Sequence, residues 1–598
     1  MSIIESFLCG DTAFFFILSG GLFLLSVVIA LLTTILPRER LAHDVQALSE
    51  DNPLAFISPD IAKFRHSFQI KLPRCAVVMP IKGVHDQSYD NWRSQITSMY
   101  GGPLDFYFCI ESADDPAHPH ILRLIKENPE FRIHLMIAGV SWHCSQKIHN
   151  QMHGFERAMR SCEYVIVLDD DIKLHPGTIR AWVEELESDA NCLAASGYAF
   201  EYVRKGETSV VPYFAMLWRM MASNGFNHPK DRPANVWGGA MMFRAEELRR
   251  NIYGLTDAWR DGGYSEDFIT LTLARYHKRS LAVPKTALFP NELGSVQFDR
   301  FWNFMCRQIF VLTQTYATSS QRFISLAASF FNASCHLFIF LGCTLSLMLT
   351  SYVALSAARR ASTDSGTAAS GPFGGLGLGD TCASSGAVPS ALAFWPLLLI
   401  FGLVAKRVLT SFTMLCNVLS PHGYGNEPID ASHVSVPLLC LAYMLYAPLI
   451  PAAVRSSAAD APRATGSGAH LSLPAFPPAR ASLATTRSLS LTHTRSLTRS
   501  LTLCPPLSCL SSCFAASHIP LLEHQTVVTL FCSHIVWAGV DFHITNGRVS
   551  AMYRKDGKDG KTPVGEWYTV PAEQSLEKSM RELAEFRLQN DGLISSGR

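Results

Sequence analysis

The chain has 598 residues, of which 48% are hydrophobic and 17% are charged, and its formal net charge is +1. The length exceeds what one hydrophobic core usually holds, and the composition is closer to that of a membrane protein than to that of a soluble one. The near-zero net charge, without a long basic stripe, argues against nucleic-acid binding. The 16 scattered cysteines favour reduced thiols over a disulfide scaffold.

The N-terminal region contains a long apolar segment. Residues 13–36 form an almost uninterrupted apolar run, which is long enough to cross a bilayer core of about 30 Å. Acidic residues precede the run, whereas Arg38 and Arg40 follow it. The positive-inside rule therefore predicts a retained transmembrane anchor, with residues 1–12 in the lumen and the following domain in the cytosol.

Residues 37–325 are predicted to form a soluble α/β domain, because apolar runs of strand length alternate with amphipathic stretches. The predicted strands are Cys75–Met79, Phe106–Ile110, Ile133–Ile137 and Val165–Leu168, and the predicted helices are Ile121–Lys126, Ile179–Leu186 and Ile269–Arg275. Such an alternation indicates a mostly parallel sheet that binds its ligands at the carboxyl ends of the strands.

The second half of the chain is predicted to return to the membrane. Residues 329–355 are a second spanning candidate, and residues 391–454 are a membrane region with about two further hydrophobic helices. The Gly-, Ala- and Ser-rich residues 361–389 between them are typical of a flexible linker. Residues 526–540 are a weaker spanning candidate.

The C-terminal part of the chain differs in composition from the rest. Residues 455–518 repeat Ser, Leu, Thr and Arg without a period that could form a core face. This pattern predicts either disorder or a spurious translated insertion. Residues 520–555 are a hydrophobic segment, and residues 556–598 are a polar tail.

Three consecutive carboxylates follow the predicted strand Val165–Leu168. Asp169, Asp170 and Asp171 would repel one another unless a cation lay nearby. Mg²⁺ and Mn²⁺ prefer oxygen ligands and commonly bridge carboxylates to substrate phosphates. Neighbouring strand residues point to opposite faces, so the three carboxylates are not all expected to bind one ion. The alternative is a structural cap for the next helix.

Two further acidic segments mark strand or helix ends. Asp115 follows the second predicted strand, where it could accept hydrogen bonds from a base or a ribose, or cap the helix after Pro116. Glu266 and Asp267 open a predicted helix, where Asp267 could be the general base for an incoming hydroxyl or a helix cap.

Residues suited to ligand contacts also lie between these acidic segments. Pro80 and Lys82 turn the chain out of the first strand, and Lys147 could contact a donor phosphate or remain a solvated charge. Trp237-Gly238-Gly239 is typical of a tight turn that brings the backbone close to a ligand, or of turn chemistry alone. Arg307 could stabilise a departing diphosphate.

Taken in order, these motifs resemble those of the ceramide glucosyltransferases, and in particular of plant and algal members of that family. The motifs are Pro80–Gly83, Asp114–Pro116, Ser145–Asn150, Asp169–Asp171, Glu266–Asp267, Cys306–Gln308, Val536–Phe542 and Asn546–Arg548. The resemblance covers residues from about 10 to 350 and from about 520 to 555. It implies a GT-A domain, which is a Rossmann-like nucleotide-diphospho-sugar transferase fold, in the cytosol between N-terminal and C-terminal transmembrane helices.

The resemblance also implies roles for the site residues. Asp115 would contact the uridine of UDP-glucose, and Asp169 and Asp171 would hold Mg²⁺ or Mn²⁺ and the diphosphate. Asp267 would deprotonate the primary hydroxyl of ceramide, so that one displacement inverts the anomeric centre. The other donor-side residues would be Pro80, Lys82, Lys147 and Arg307, and the acceptor-side residues would be Trp237, Gly238, Gly239, Glu266 and Gln308.

One motif departs from the family pattern, usually written (Q/R)xxRW. Gln308 rather than Trp follows Arg307, and Phe304 stands where Gln or Arg is expected. This departure leaves the acceptor-side aromatic residue open, with Trp302 as a candidate. The resemblance implies a multi-pass protein of the Golgi or endoplasmic reticulum. The alternatives are another family-2-like transferase acting on a different lipid or a polysaccharide, and a non-catalytic membrane scaffold.

Overall fold

The computed structural model describes most of the predicted α/β domain and several separate segments around it. The described residues are 12–50, 72–98, 100–175, 177–222, 236–284, 287–314, 341–342, 344–348, 350–351, 387–419, 428–445, 534–537, 539–545, 548–554 and 567–569. The predicted low-complexity stretch 455–518 lies outside them, as do all but three residues of the polar tail, most of the linker and most of the predicted span 329–355.

The chain begins its described part with one long helical segment. Helix α1 (Thr12–Ala30) passes through a π-helical turn (Leu31–Ile35) into α2 (Leu36–Glu50). Its segment Gly20–Asp44 is long and apolar enough to cross a bilayer, judged by length and composition alone, and it overlaps the predicted anchor at 13–36. Buried core helices of soluble proteins can have the same length and composition.

Nine strands between residues 75 and 293 form two sheets. They are β1 (Cys75–Pro80), β2 (Leu104–Ile110), β3 (Arg132–Ile137), β4 (Tyr164–Leu168), β5 (Cys192–Ser196), β6 (Tyr198–Val203), β7 (Ala240–Arg244), β8 (Ser280–Ala282) and β9 (Leu288–Leu293). The seven-stranded sheet has the order β3-β2-β1-β4-β7-β5-β8, and β6 pairs with β9 in a separate parallel pair.

The central sheet is mostly parallel, as the alternating pattern predicts. Strand β1 is parallel to both β2 and β4, and β2 is parallel to β3. Within the described sheet, β7 alone runs antiparallel to its neighbours β4 and β5. The chain changes direction across the sheet between β1 and β4, which is where open α/β sheets bind ligands.

Helices cover both faces of this sheet. They are α3 (Ser88–Ile96), α4 (Ala117–Glu127), α5 (Gln146–Ala158), α6 (Thr178–Ser188), α8 (Ala245–Arg249), α9 (Leu255–Arg260) and α10 (Glu266–Tyr276). Helix α7 (Val211–Ala222) instead packs on β6, and α11 (Phe298–Gln314) packs on α7. Alternate residues of β1 enter opposite cores: Val78 packs with Phe155 of α5 on one face, and Val77 packs with Trp92 and Trp182 on the other.

Two apolar helices after the α/β domain pack against α1. Helix α12 (Ala387–Leu419) begins inside the predicted linker 361–389, which therefore ends earlier than the composition suggests, and α13 (Val436–Leu445) follows. The segment Trp395–Leu419 of α12 is the second described helix with the length and composition of a membrane span. Phe23 of α1 contacts the rings of Phe401 and Tyr443, which stack at 3.7 Å between centroids.

These apolar helices are attached to the α/β domain by specific contacts. The ring Nε2 of His175 hydrogen-bonds the Leu419 carbonyl at 2.8 Å, just after the triple aspartate. Phe412 of α12 stacks on Phe200 of β6 with 5.2 Å between ring centroids. The carboxyl-end region of the central sheet therefore lies beside the apolar helices.

The C-terminal hydrophobic segment forms an antiparallel sheet. Its strands are β10 (His534–Trp537), β11 (Val540–Thr545), β12 (Arg548–Arg554) and β13 (Trp567–Thr569), in that order. The spanning candidate at residues 526–540 is therefore wrong over its described part, where residues 534–537 and 540 form strands. The sheet packs on the loop before α10, where the Val549 N–H donates to the Gly262 carbonyl at 2.8 Å.

Candidate active site

Lys147 joins two carboxylates that come from different elements. It lies in the first turn of α5, which Ser145 caps by accepting a hydrogen bond from the Ile148 N–H. Its Nζ lies 2.6 Å from Asp169 Oδ1, at the end of β4, and 2.5 Å from Glu266 Oε1, at the start of α10. The structure thus brings together three predicted site residues that are far apart in the sequence.

The turn Trp237-Gly238-Gly239 lies directly over this ion cluster. The Gly238 carbonyl is 3.5 Å from Lys147 Nζ, and the Gly239 carbonyl accepts the Asp169 N–H at 2.8 Å. A Cβ on Gly238 would lie 2.8 Å from Glu266 Cδ, and one on Gly239 would lie 2.5 Å from the Trp237 ring. Both glycines are therefore required by close packing, which agrees with the predicted approach of backbone to a site.

Asp267 is fixed by backbone donors at the start of α10. Its Oδ2 accepts the Gly238 N–H at 3.3 Å, and its Oδ1 accepts the Phe268 N–H at 2.8 Å and the hydroxyl of Ser265. A carboxylate at a helix N-terminus is also stabilised in its charged form by the helix dipole. These contacts fit both roles predicted for Asp267, a helix cap and a general base, because they cap the helix and orient the carboxylate.

The charges of this cluster do not balance. Burial raises the pKa of Glu266 to about 7, assisted by Asp267 and Asp169 and opposed by Lys147. Burial alone would lower the pKa of Lys147, but the carboxylates of Asp169 and Glu266 raise it above its ordinary value. Lys147 therefore stays protonated among carboxylates that exceed it in charge.

In the triple aspartate, burial and neighbouring carboxylates disfavour the charged forms of Asp170 and Asp171. Burial, together with Asp169, raises the pKa of Asp171 to about 6, and burial with both neighbours raises the pKa of Asp170 well above its usual range. Among the described residues, no three His, Cys, Asp or Glu side chains converge as a complete metal site. Two hard carboxylates in an under-neutralised cluster nevertheless fit a Mg²⁺ or Mn²⁺ ion that takes its other ligands from water and phosphate.

Asp171 also lies near a second ion pair. Arg219 and Glu201 both interact with it electrostatically, and their side chains pair with each other at 3.2 Å between Nε and Oε1. The Arg219 guanidinium also lies 5.7 Å from the centre of the Trp237 ring. The sequence reading missed Arg219 and Glu201, whose charges lie in otherwise apolar β6 and α7.

The loops after β1 and β2 form a second group. Asp115 Oδ1 accepts the Gly83 N–H at 2.9 Å and the Ala117 N–H at 2.8 Å. Asp115 is therefore a structural cap for α4 in this state, and it also fixes the loop that carries Lys82. Lys82 Nζ lies 3.8 Å from Glu111 Oε2, just after β2. Pro80 closes β1 beside this group.

Arg307 of α11 lies against the C-terminal sheet. Its guanidinium is 5.5 Å from the centre of the Trp537 ring, and Tyr264 contacts the same ring at 5.6 Å. Burial lowers the pKa of Arg307. Trp302 instead stacks on Phe298, so the indole beside Arg307 comes from β10. Gln308 follows Arg307 in the helix and is partly buried.

Replacement of Gly238 is a direct test of the packing at this turn. We expect Gly238→Ala to displace the Glu266 side chain, because overpacking of this kind costs about 1–3 kcal/mol. Transferase kcat/KM should fall roughly tenfold or more. Gly177→Ala is the matched control, since its Cβ would meet no atom closer than 3.6 Å. Equal activity of the two variants would contradict this account of the turn.

In a comparison with known protein families, the part of the chain that contains strands β1–β6 matches one family profile. The profile described as glycosyl transferase family 21 matches residues 55–210. The chain is 30% identical over 100 residues to ceramide glucosyltransferase 1 of Caenorhabditis elegans, which is 17% of this chain and 20% of that protein. It is 29% identical over 119 residues to ceramide glucosyltransferase 3 of the same organism, or 19% and 25% of the two chains. The matches thus span a quarter or less of these relatives.

Two solved structures found in the comparison share little sequence identity with this chain. A mannosyltransferase from Pyrobaculum calidifontis, in complex with GDP-Man and Mn²⁺, is 16% identical with a TM-score of 0.29, covering 62% of this chain and 97% of its own. Glucosyl-3-phosphoglycerate synthase from Mycobacterium tuberculosis, in complex with Mn²⁺, UDP and phosphoglyceric acid, is 13% identical with a TM-score of 0.23, covering 40% and 78%. Residues 55–210 match the profile of glycosyltransferase family 21, and the resemblance of the chain to the ceramide glucosyltransferases is confirmed.

Proposed function

We propose that this protein transfers glucose from UDP-glucose to the primary hydroxyl of ceramide, releasing UDP and forming β-glucosylceramide. The observation that carries the proposal is the contact of Lys147 with both Asp169 and Glu266, directly beside Asp267. This arrangement supplies a cation, a carboxylate suited to a metal, and a fixed candidate base within one cluster. The matched family and the curated relatives support the same activity.

The donor would lie along the carboxyl ends of β1, β2 and β4. Pro80, Lys82 and Asp115 line the side proposed for uridine, while Lys147 and Arg307 supply positive charge for the diphosphate. Asp169 and Asp171 would hold Mg²⁺ or Mn²⁺. When bound, the ion would neutralise the negative charge of the leaving diphosphate. The surplus carboxylate charge around Lys147 is the observation that favours such a cation.

The acceptor hydroxyl would be activated by Asp267. The Gly238 and Phe268 N–H groups hold its two oxygens, so the carboxylate is oriented before substrate binds. The hydroxyl proton would pass to a carboxylate oxygen of Asp267 as the hydroxyl attacks the anomeric carbon. Attack from the face opposite UDP inverts the centre, through an oxocarbenium-like state. Trp237, Gly238, Gly239, Glu266 and Gln308 would form the acceptor side.

A membrane lipid acceptor agrees with the position of the apolar helices. Helix α12 ends beside His175, four residues after the triple aspartate, and stacks on β6. A lipid held by these helices could present its headgroup to the edge of the sheet. We propose a multi-pass protein of the Golgi or endoplasmic reticulum whose catalytic domain faces the cytosol, where the basic residues after α1 would also lie.

Incubation of membranes that contain the protein with labelled UDP-sugars and ceramide tests donor and acceptor together. We expect a labelled lipid with UDP-glucose and none with UDP-galactose, and we expect the product to disappear when a chelator removes divalent metal. Label in a polymer, or in a lipid other than ceramide, would replace this proposal with another family-2-like transferase. Metal-independent transfer would contradict the roles of Asp169 and Asp171.

A further inference from the structure

The last residue of β12 reaches into the donor side of the candidate site. Arg554 is 8% exposed, and its Nη2 donates to Gln146 Oε1 at 3.1 Å and to the Ser141 carbonyl at 3.2 Å. Its Nη1 lies 3.4 Å from Glu111 Oε1. One buried guanidinium thus connects the end of β2 with the start of α5.

Gln146 connects Arg554 to the loop before α5 through further hydrogen bonds. Its Oε1 also accepts the Ser141 N–H at 2.9 Å, and its Nε2 donates to the Gly139 carbonyl and to Asn150 Oδ1, both at 2.8 Å. Lys147 is the next residue, so the orientation of its side chain depends on how this turn is held. A shift of about 1 Å at such a position can cost roughly 100-fold in rate.

The C-terminal sheet is attached to the same turn by a second route. Arg548 forms an ion pair with Asp261, and the Val549 N–H donates to the Gly262 carbonyl at 2.8 Å. The next residue, Gly263, accepts the Ser145 N–H at 2.8 Å, immediately before α5. The C-terminal sheet is therefore connected to the start of α5 in two ways, through Arg554 and through residues 261–263.

A third contact lies at Trp537. Its ring packs edge-on against Tyr264, which precedes Ser265 and the catalytic candidates at the start of α10, and it also faces the Arg307 guanidinium. The three contacts together reach the lysine, the candidate base and the arginine of the proposed mechanism. Arg554, Arg548 and Trp537 each join the C-terminal sheet to the α/β domain.

We propose that β10–β12 are an intramolecular clamp over the active site and that Arg554 is the positioning residue for the donor side. The inference rests on the proposed function, because the donor is taken to be a uridine nucleotide. Arg554 would act through Gln146 and Glu111, which set the position of Lys147 relative to the loop of Lys82. The side chains of Arg554, Arg548 and Trp537 then belong to the catalytic unit.

The test compares three full-length variants in membranes. Arg554→Met keeps the bulk of the side chain and removes every donor, Arg554→Lys keeps the charge, and Ser550→Ala removes a hydroxyl that bonds His543 inside the sheet. Each is assayed for UDP binding by calorimetry, for donor KM and kcat, and for Tm. We expect Arg554→Met to weaken UDP binding and raise donor KM about tenfold, the usual effect of losing hydrogen bonds to a charged group. Arg554→Lys should recover most of this loss, and Ser550→Ala should match the parent protein.

The measurements distinguish a positioning role of Arg554 from a role in folding stability alone. A lower Tm for Arg554→Met with unchanged UDP binding and donor KM would overturn the inference, because Arg554 would then only support folding. Equal losses in Ser550→Ala and Arg554→Met would overturn it in the same way. If the parent protein failed to bind UDP, the donor proposal would fail and this inference with it. Binding by the parent that Arg554→Met leaves unchanged would overturn the positioning role alone.

Discussion

Asp267→Asn should abolish sugar transfer while leaving UDP-glucose binding and the fold intact. The amide keeps an oxygen that can accept the Phe268 N–H, so the start of α10 should be preserved, while its NH2 group replaces the oxygen that accepts the Gly238 N–H. It cannot accept the acceptor proton, and loss of a general base typically costs about 100- to 10,000-fold in rate. The measurements are single-turnover transfer to ceramide and calorimetric binding of the donor.

Asp257→Asn is the matched control for this prediction. Asp257 also lies in the first turn of a helix, α9, but it is exposed and outside the cluster around Lys147. Its activity should equal that of the parent protein. Transfer by Asp267→Asn at more than a tenth of the parent rate would remove Asp267 as the base and return it to the role of a helix cap.

Lys147→Met should have the second largest effect, on both donor binding and stability. The ammonium is mostly buried and contacts two carboxylates, so its removal leaves Asp169 and Glu266 facing each other without a cation. Breaking a buried ion pair from one side typically costs about 3–5 kcal/mol. We expect a lower Tm and a loss of UDP-glucose binding that extra Mg²⁺ does not restore.

A double variant separates the two effects of Lys147. Lys147→Met with Glu266→Gln removes one of the two charges that the single variant leaves unpaired, so the Tm should recover in part while transfer remains absent. Lys126→Met, at an exposed position on α4, is the surface control. Normal donor binding by Lys147→Met would show that the lysine is a structural cation and not a phosphate contact.

The sequence predicted the elements whose signal is local. Strands β1, β2 and β4 are buried on both faces, so they are continuous apolar runs that can be recognised without tertiary information. Strand β7, which runs antiparallel, has the sequence Ala-Met-Met-Phe-Arg, and this apolar run does not reveal its direction. The C-terminal strands were mistaken in part for a spanning candidate, because a short apolar run suits either structure.

The site was predictable as a set of residue types but not as a set of contacts. Carboxylates at the ends of neighbouring parallel strands were expected to lie at one edge of the sheet, and Asp169 and the loop of Asp115 follow β4 and β2, which both flank β1. The joining of Glu266 to Asp169 by Lys147 depends on tertiary packing across more than a hundred residues, which no local pattern reports. Arg554 was missed for the same reason, since a charge that ends an alternating strand looks like any exposed residue.

The separation between Gln146 and Arg554 has a consequence for synthesis. The two residues are 408 positions apart in the chain, so the ribosome must make the intervening apolar helices before the pair can form. At roughly 5–20 residues per second, this delay is on the order of 20–80 s. Closing so long a loop adds little entropic cost, since that cost grows only logarithmically with length. Newly made protein should therefore remain inactive until β12 emerges, after the intervening helices have been made.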